Sequence, residues 1–420
     1  MSDRLARDGG TPVRSTPFPT AMDPQGRTLG PAEAEALARV IDSARLSSNG
    51  GTEVPALEQE FGTMYGVPHA VACTSGTAAL HLAVGAVDPA PGDEIITTPV
   101  TDFGTIIPIL AQNAVPVFAD VDPLTGIVDP ASVEACVSER TRAIIAVHLM
   151  GAPAPVDDLA AIARRHGLIL IEDCAQAYLT ELPDGTYAGT RGHIGCFSLQ
   201  QYKHVTCGDG GLAITGDDHL AEQMRLFADK GWPRHTGERT HLSFGMNYRM
   251  TELQAAVARV QLTKLAGVVA RRRAAAARLV AGLRELEGLH LPNELDRHAV
   301  WLFPVVLDPE VAGGTNAEYA KALEAEGIPV SDGYLSHPVY RYPVLSHKRL
   351  YGGAGFPFTC PPARRDWEYG EGLCPNAEEL INRTWLIVHW NEAYSDSDVD
   401  DIATAFHRVH RALRSTRPAV

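Results

Sequence analysis

The spacing of hydrophobic residues changes repeatedly between residues 66 and 215. Short runs rich in β-branched residues are separated by stretches in which apolar residues recur every three or four positions. The runs predict strands and the stretches predict helices. Strands that are apolar on both sides and alternate with helices are typical of a mainly parallel sheet covered on both faces. The predicted strands are 70–74, 93–98, 115–121, 143–149, 168–173, 195–199 and 212–215.

The last of these runs follows its neighbour after only a turn, which favours antiparallel pairing at that point. Predicted helices lie between the strands, at 77–87, 103–113, 131–138 and 156–166. The sequence therefore predicts an α/β fold whose sheet is parallel except near residue 212.

The remaining chain divides into an arm and a second domain. Residues 1–30 are rich in glycine, proline and polar residues, and we expect an arm without a core of its own. A long helical pattern at 251–287 is suited to bridge two domains, and a mixture of strands, helices and loops follows it. We predict an arm (1–30), a large α/β domain (31–265) and a smaller α+β C-terminal domain (266–420).

Composition narrows the possible partners and the compartment. The 420-residue chain has a formal net charge of −15, so it would repel a phosphate backbone, and nucleic acid is not expected as a partner. Its seven cysteines form no CxxC pair, and we expect neither a metal site nor a disulfide framework. The first residues lack the apolar segment of a signal peptide, and no run reaches the length of a membrane span. We therefore expect a cytoplasmic protein.

An acidic pair ends the predicted strand 168–173. Ligands of open α/β sheets bind at the carboxyl ends of strands, which places Asp173 where a ligand would lie. A buried carboxylate needs a partner, and one function is to keep the pyridine nitrogen of a cofactor protonated. The alternative is an aspartate that caps the next helix.

Lys203 follows the next predicted strand and precedes a glycine-rich turn. A lysine held in a pocket has a lowered pKa and becomes an effective amine for covalent bonding to a carbonyl carbon. Alone, Lys203 would more simply be an exposed residue of a turn. Its position one βα unit after Asp173 favours the chemical interpretation.

Two further segments carry candidate binding residues. Ser75, Gly76 and Thr77 precede a predicted helix, where backbone N–H groups form an anion site suited to phosphate; a simple helix cap is the alternative. Phe103 follows a strand end and could stack on a flat heterocycle, although core packing is the simpler role for it.

Four segments in order resemble the DegT/DnrJ/EryC1/StrS family of pyridoxal 5′-phosphate (PLP)-dependent sugar aminotransferases. They are SGTAALHLA (75–83), EDCAQA (172–177), FSLQQYKxxTxGDGG (197–211) and MNYRMTELQAA (246–256). The resemblance implies the fold-type I, aspartate-aminotransferase-like architecture. It is strong over about residues 30–265 and looser over 290–420. The segment FSLQQ and the stretch 335–344 are most similar to the branch that acts on inososes and related aminoglycoside precursors, and the stretch 373–379 resembles the family's CPxAE element.

The resemblance implies roles for the residues that would surround the cofactor ring. Lys203 would hold PLP covalently and move protons, and Asp173 would pair with the pyridine nitrogen. Gln176 would lie near the ring hydroxyl, and Phe103 would stack on the ring face. The cofactor would alternate between PLP and its pyridoxamine form as it carries the amino group.

The resemblance also implies a phosphate site shared between two subunits. Gly76, Thr77 and Ser198 would hold the phosphate, next to Ser75 at the start of the same helix. Asn247 matches the family residue that reaches the phosphate from the neighbouring subunit. A homodimer with two shared active sites follows from this match.

The substrate class comes from the resemblance, and the chain departs from the family near the pocket. The donor would be glutamine or glutamate, and the acceptor a keto-sugar or keto-cyclitol in aminoglycoside-type biosynthesis. Tyr178 and Leu179 replace the usual His-Gly, an insertion follows at 181–187, and Tyr202 directly precedes the lysine. The candidate substrate contacts are Tyr178, Tyr202, His204, His337 and Tyr340.

Two other functions are compatible with this scaffold. One is a different PLP reaction, either sugar dehydration or synthesis of an aminobenzoate-type precursor. The family's dehydratases carry histidine in place of the lysine, so Lys203 argues against dehydration. The other is a non-catalytic regulatory protein, which would not need Asp173 and Lys203 together.

Overall fold

A seven-stranded sheet forms the centre of the larger part of the protein. The computed structural model describes residues 4–364 and 367–415. The strands are β1 (His69–Cys73), β2 (Glu94–Thr97), β3 (Val115–Phe118), β4 (Thr141–Val147), β5 (Ile169–Asp173), β6 (Ile194–Ser198) and β7 (Gly211–Thr215). Their order across the sheet is β1-β7-β6-β5-β4-β2-β3. Strands β2 to β6 are parallel to one another, whereas β7 pairs antiparallel with both β6 and β1. The predicted α/β fold is confirmed, including the antiparallel strand near residue 212.

The sheet is buried on both faces. Successive residues of β4 point to opposite cores: Ile144 packs into one hydrophobic cluster and Ile145 into the other. The helices that cover the two faces and the sheet ends are α1 (Pro31–Ser43), α2 (Glu53–Tyr65), α3 (Gly76–Val87), α4 (Ile107–Ala111), α5 (Pro130–Cys136), α6 (Val156–His166), α7 (Asp218–Ala228) and α8 (Glu252–Leu283).

The predicted helix 103–113 is shorter and broken. A 3₁₀ turn covers Phe103–Thr105, and α4 begins only at Ile107. The side chain of Asp102 caps the 3₁₀ turn by accepting from the N–H of Gly104 at 2.7 Å. Pro108 lacks an N–H and therefore fits the first turn of a new helix.

A four-stranded antiparallel sheet organises the C-terminal part. Its strands are β8 (Leu289–His290), β9 (Phe303–Leu307), β10 (Val330–Ser331) and β11 (Trp385–Val388), in the order β10-β11-β9-β8. The accompanying helices are α9 (Pro309–Ala312), α10 (Asn316–Ala325), α11 (Pro343–Ser346), α12 (Pro375–Glu379) and α13 (Asp396–Ser415). One face of this sheet forms a separate hydrophobic core with α9, α10 and α13, whereas its other face packs with α11 and α12 in a cluster shared with the large sheet.

Helix α8 connects the two parts. It begins with a reciprocal cap between Thr251 and Gln254, which satisfies the first free N–H groups of the helix. Its first half packs into the large-sheet core through Leu262 and Leu265, and its second half packs into the C-terminal core through Leu279 and Leu283. Within the described residues, no helix combines the length and apolar character needed to cross a membrane.

The N-terminal arm packs against the C-terminal part. Leu5 and Phe18 are buried in its hydrophobic core. Arg14 forms an ion pair with Asp398 at 2.6 Å, and the Glu326 carboxylate accepts from backbone N–H groups of the arm. These N-terminal residues therefore share the hydrophobic core of the C-terminal sheet. The arm then continues towards the loop that carries Lys203.

Candidate active site

A cavity of about 680 Å³ opens at the carboxyl edge of the large sheet. Strands β1, β2, β5 and β6 all end at this edge, so the residues that follow them meet there. The C-terminal sheet and the N-terminal arm close the cavity from other sides. Of the residues predicted from sequence, its wall contains Ser75, Gly76, Thr77, Asp173, Gln176, Ser198, Tyr202 and Lys203.

Asp173 ends β5 with its carboxylate buried at the base of the cavity. One carboxylate oxygen accepts from the N–H of Ala175 at 3.1 Å, and the other accepts from the hydroxyl of Thr105 at 2.8 Å. Burial raises the pKa of Asp173, although these hydrogen bonds and the charge of Lys203 oppose the rise. A protonated ring nitrogen placed against this carboxylate would compensate its charge.

Lys203 extends its amine into the same cavity. Burial lowers its pKa to about 8, while the carboxylates of Asp173 and Asp102 favour the ammonium form and limit the decrease. The Nζ atom lies 4.2 Å from the centre of the Trp301 ring, an arrangement that attracts a cation. Arg27 fixes the backbone by donating to the carbonyl oxygen of Lys203 at 3.0 Å. The lysine is thus a positioned amine that loses its proton near neutral pH.

The start of α3 forms a concave anion site. The Ser75 side chain accepts from the N–H of Ala78 at 3.0 Å and so defines the first turn. A Cβ on Gly76 would lie 2.6 Å from Cβ of Ser198, so only glycine allows the helix to approach β6 this closely. The hydroxyl groups of Ser75, Thr77 and Ser198 and the backbone at Gly76 therefore line the cavity around a helix N-terminus, an arrangement that suits a phosphate group.

Taken together, the donor set fits PLP. The anion site would hold its phosphate, the amine of Lys203 would bond its aldehyde carbon, and the carboxylate of Asp173 would face its ring nitrogen. Gln176 supports this wall, because its Oε1 accepts from the N–H of Met150 at 2.7 Å and its Nε2 donates to the hydroxyl of Tyr334 at 3.1 Å.

The expected stacking role of Phe103 needs correction. Its ring packs against Tyr342, with ring centres 5.9 Å apart, and it does not line the cavity. The 3₁₀ turn that begins here directs the preceding residue, Asp102, into the cavity instead. At this turn Asp102, and not Phe103, therefore lines the cavity.

Three of the candidate substrate contacts are inaccessible, which corrects their assignment. Tyr178 is fully buried, and its hydroxyl donates to the carbonyl oxygen of Ser198 at 2.9 Å. His204 is also fully buried, with Nε2 2.9 Å from the carbonyl oxygen of Ala299, and burial lowers its pKa. Tyr340 is buried in the core between the two sheets and donates to Glu378 at 2.5 Å. Tyr178 thus supports the cavity wall at Ser198 from behind, whereas Tyr340 contributes to the core.

The other two candidates are exposed, but only one faces the cavity. Tyr202 lines it and has 49% of its surface exposed. His337 is exposed on the surface outside the cavity wall. Tyr202 therefore remains a candidate substrate contact, and the structure does not bring His337 to the site.

Asn247 lies outside the cavity of its own chain. It is exposed, close in sequence to Leu242 and Phe244, whose exposed fractions are 63% and 75%. Arg249, two residues further along, forms an ion pair with Asp229. An exposed apolar segment that carries Asn247 is consistent with a surface that meets another subunit.

Sequence reasoning missed several residues of the cavity wall. Trp301 and Tyr334 come from the C-terminal part, and Thr20 and Ala21 come from the arm. The arm is attached by a hydrogen bond from Gln201 Nε2 to the carbonyl oxygen of Ala21 at 2.7 Å. No local motif marks these residues, because only the packing of remote segments brings them to the cavity.

A buried cluster of His148, Glu172 and Cys174 lies behind Asp173. His148 Nε2 is 2.9 Å from Glu172, and its Nδ1 accepts from the N–H of Ala154. Glu172 also accepts from backbone N–H groups of residues 189, 191 and 192. Burial opposes ionisation of Glu172, but these hydrogen bonds, led by the one to His148, lower its pKa. The cluster fixes the loop and the strand end that carry Asp173.

Comparison with known proteins agrees with the geometry. The sequence model of the DegT/DnrJ/EryC1/StrS aminotransferase family matches residues 27–407 of this chain. The chain is 36% identical to an L-glutamine:2-deoxy-scyllo-inosose aminotransferase of Streptomyces kanamyceticus, covering 98% of this chain and 99% of the relative. It is 32% identical, over 100% of both chains, to a putative L-glutamine:3-amino-2,3-dideoxy-scyllo-inosose aminotransferase of the same organism.

Solved structures give the same result for the fold. An aminotransferase from Psychrobacter cryohalolentis superimposes with a TM-score of 0.82 at 29% identity, covering 92% of this chain and 98% of the other. DesI, determined in the presence of its TDP-sugar product, superimposes with a TM-score of 0.81 at 29% identity, covering 98% of each chain.

The lowered pKa of Lys203 leads to a prediction about its reactivity. In cofactor-free protein, modification of Lys203 by an amine reagent should rise with pH around a midpoint of about 8, below the ordinary lysine value of 10.5. Asp173→Asn should lower this midpoint further, because the carboxylate stabilises the ammonium form. Peptide mass spectrometry across a pH series measures both values. A midpoint at the ordinary value, or an upward shift in the variant, would contradict the described environment.

Proposed function

The chain belongs to the DegT/DnrJ/EryC1/StrS aminotransferase family, and from this membership we propose that it transfers an amino group from glutamine or glutamate to a keto-cyclitol or keto-sugar. The cofactor is PLP, held on Lys203, and the pathway is an aminoglycoside-type biosynthesis. The observation that carries the proposal is the convergence of Asp173, Lys203 and the start of α3 on one cavity. The full-length relatives support the substrate class, because their names specify glutamine as donor and inososes as acceptors.

Each residue of the site has a defined task in this reaction. PLP supplies an electron sink that stabilises negative charge on the carbon bonded to nitrogen. Lys203 Nζ removes the proton from that carbon of the donor. It later delivers a proton to the acceptor carbon that has exchanged its carbonyl oxygen, lost as water, for the amino nitrogen. With a pKa of about 8, the amine can both accept and release a proton near neutral pH.

Asp173 and the anion site hold the reacting groups in position. The Asp173 carboxylate keeps a proton on the ring nitrogen, and burial strengthens this interaction because water is excluded. Ser75, Gly76, Thr77 and Ser198 bind the phosphate and so fix the ring relative to Lys203. Gln176, which is held by Met150 and Tyr334, supports the ring edge.

We further propose a homodimer with two shared active sites. The support is the exposed position of Asn247 in an apolar surface segment outside its own cavity. A second subunit that covers this segment would bring its own Asn247 to the phosphate of the first. The reaction would take place in the cytoplasm, where the seven free cysteines would remain reduced.

Lys203→Ala should abolish both colour and amino transfer. The wild-type protein with PLP should show visible absorbance that glutamine removes and that a keto-cyclitol restores. The variant should show neither change, whereas Lys321→Ala, at an exposed lysine of α10, should behave as wild type. Absorbance spectra and analysis of the aminated product measure the result. Amino transfer that persists in Lys203→Ala would refute the proposed role.

Subunit mixing tests the shared site. Asn247→Ala should weaken cofactor binding, because the phosphate loses a ligand from the partner. A dimer formed from one Lys203→Ala chain and one Asn247→Ala chain contains one site with both changes and one with neither. Refolding the two variants together should therefore restore sites of wild-type affinity, as measured by PLP titration. If the PLP affinity of the mixture is only the average of the affinities of the two variants, Asn247 does not act across the subunit boundary.

A further inference from the structure

Asp102 places a carboxylate on the cavity wall beside the reacting groups. One of its oxygens accepts from the N–H of Gly104 at 2.7 Å, which fixes the side chain, and the residue is exposed to the cavity. Burial is the main cause of the shifted pKa values of Lys203, Asp173 and Tyr334, and the charge of Asp102 also acts on these groups: it favours the ammonium form of Lys203 and further raises the pKa values of Asp173 and Tyr334. Asp102 therefore lies close to the place where a bound substrate would react.

The charged wall of the cavity is acidic. Among the described residues that line it, the carboxylates are Asp102, Asp173 and Asp209, and the cations are Lys203 and Arg272. Asp173 and Lys203 are assigned to the cofactor under the proposed function. His389, which also lines the wall, has its pKa lowered by burial and is therefore neutral near pH 7.

Arg272 is paired with groups of the protein itself. Its Nε and Nη2 atoms lie 2.9 and 2.7 Å from Oε2 of Glu392. Its Nη1 donates to the carbonyl oxygens of Val300 and Trp301 at 3.1 and 3.0 Å. Releasing it would leave the buried Glu392 without its main partner, which is energetically costly.

Tyr334 provides a hydrogen-bond donor near Asp102. Its hydroxyl oxygen accepts from Gln176 Nε2 at 3.1 Å, so its own proton remains available to another acceptor. The residue follows β10 and lines the cavity from the side of the C-terminal sheet. A carboxylate and a phenol thus offer an acceptor and a donor to the same region, which suits adjacent hydroxyl groups of a substrate.

We propose that Asp102, together with Tyr334, recognises the hydroxyl groups of the amino acceptor and restricts acceptors to uncharged, polyhydroxylated ring ketones. This inference rests on the proposed function and specifies its substrate class. A phosphorylated or nucleotide-linked ketone would bring negative charge next to the carboxylate of Asp102, which repels it.

The test measures the two half-reactions separately, amino transfer from the donor to the cofactor and from the cofactor to the acceptor. It uses the holoenzymes of wild type, Asp102→Asn and Asp102→Ala. Asp332→Asn serves as the control, because it removes the same charge from an exposed residue near Tyr334 that does not line the cavity. In both Asp102 variants, kcat/KM for a keto-cyclitol should fall about 10- to 100-fold, the effect of losing a hydrogen bond to a charged group. Single-turnover conversion of the PLP form to the pyridoxamine form by glutamine should change less than about two-fold, because glutamine has no hydroxyl group to donate to Asp102.

Equal losses in both half-reactions, or no loss in either, would overturn the proposal. Equal losses would mean that Asp102 acts through the cofactor or Lys203. A wild-type preference for phosphorylated over uncharged ketones would overturn it as well.

Binding of unreactive ligands, measured by calorimetry, tests the recognition by Asp102 independently of the proposed reaction. An inositol, which cannot react because it has no carbonyl group, should bind the wild-type holoenzyme more tightly than an inositol monophosphate does. Asp102→Asn should weaken inositol binding and reduce the discrimination against the phosphate. If no keto-cyclitol is aminated but these affinities hold, the proposed reaction fails and the recognition by Asp102 stands. If the monophosphate binds as tightly as inositol, the recognition fails whatever the reaction.

Discussion

A carboxylate buried at the end of a parallel strand is the constraint on which the rest of the site depends. Asp173 is 5% exposed, so its ionised form needs compensation from the hydrogen bonds of Ala175 and Thr105 and from the charge of Lys203. The same exclusion of water lowers the pKa of Lys203 and makes its amine available near neutral pH. Burial therefore determines the chemistry of both groups. It makes the Asp173 carboxylate a strong partner for a cation, and it makes the Lys203 amine a usable base.

This arrangement requires convergence of distant segments. The loop that carries Lys203 is held by Arg27 of the arm at one carbonyl and by Trp301 of the C-terminal part, which donates to the carbonyl oxygen of Tyr202 at 2.8 Å. Behind the sheet edge, Glu172 and His148 fix the end of β5. The arm and the C-terminal part thus belong to the site, although the groups assigned to the cofactor come from the large sheet.

The sequence predicted the parts of the site that depend on local pattern. Asp173 ends a strand, Lys203 follows the next one and Ser75 starts a helix, so their common edge could be inferred from strand and helix periodicity alone. Phe103 was misassigned because periodicity does not tell which of two adjacent residues in a 3₁₀ turn faces the cavity. The burial of Tyr178 and His204 depends on acceptors that are remote in the fold, the carbonyls of Ser198 and Ala299, and no local pattern reports them.

Chemical trapping tests the assignment of Lys203 most directly. The protein would be incubated with PLP, reduced with borohydride to make the bond between cofactor and amine permanent, digested and mapped by mass spectrometry. We expect the added mass on the peptide that contains Lys203, because its amine is the one held beside Asp173 and the phosphate site. Labelling of another lysine in its place, or no labelling at saturating PLP, would contradict the assignment.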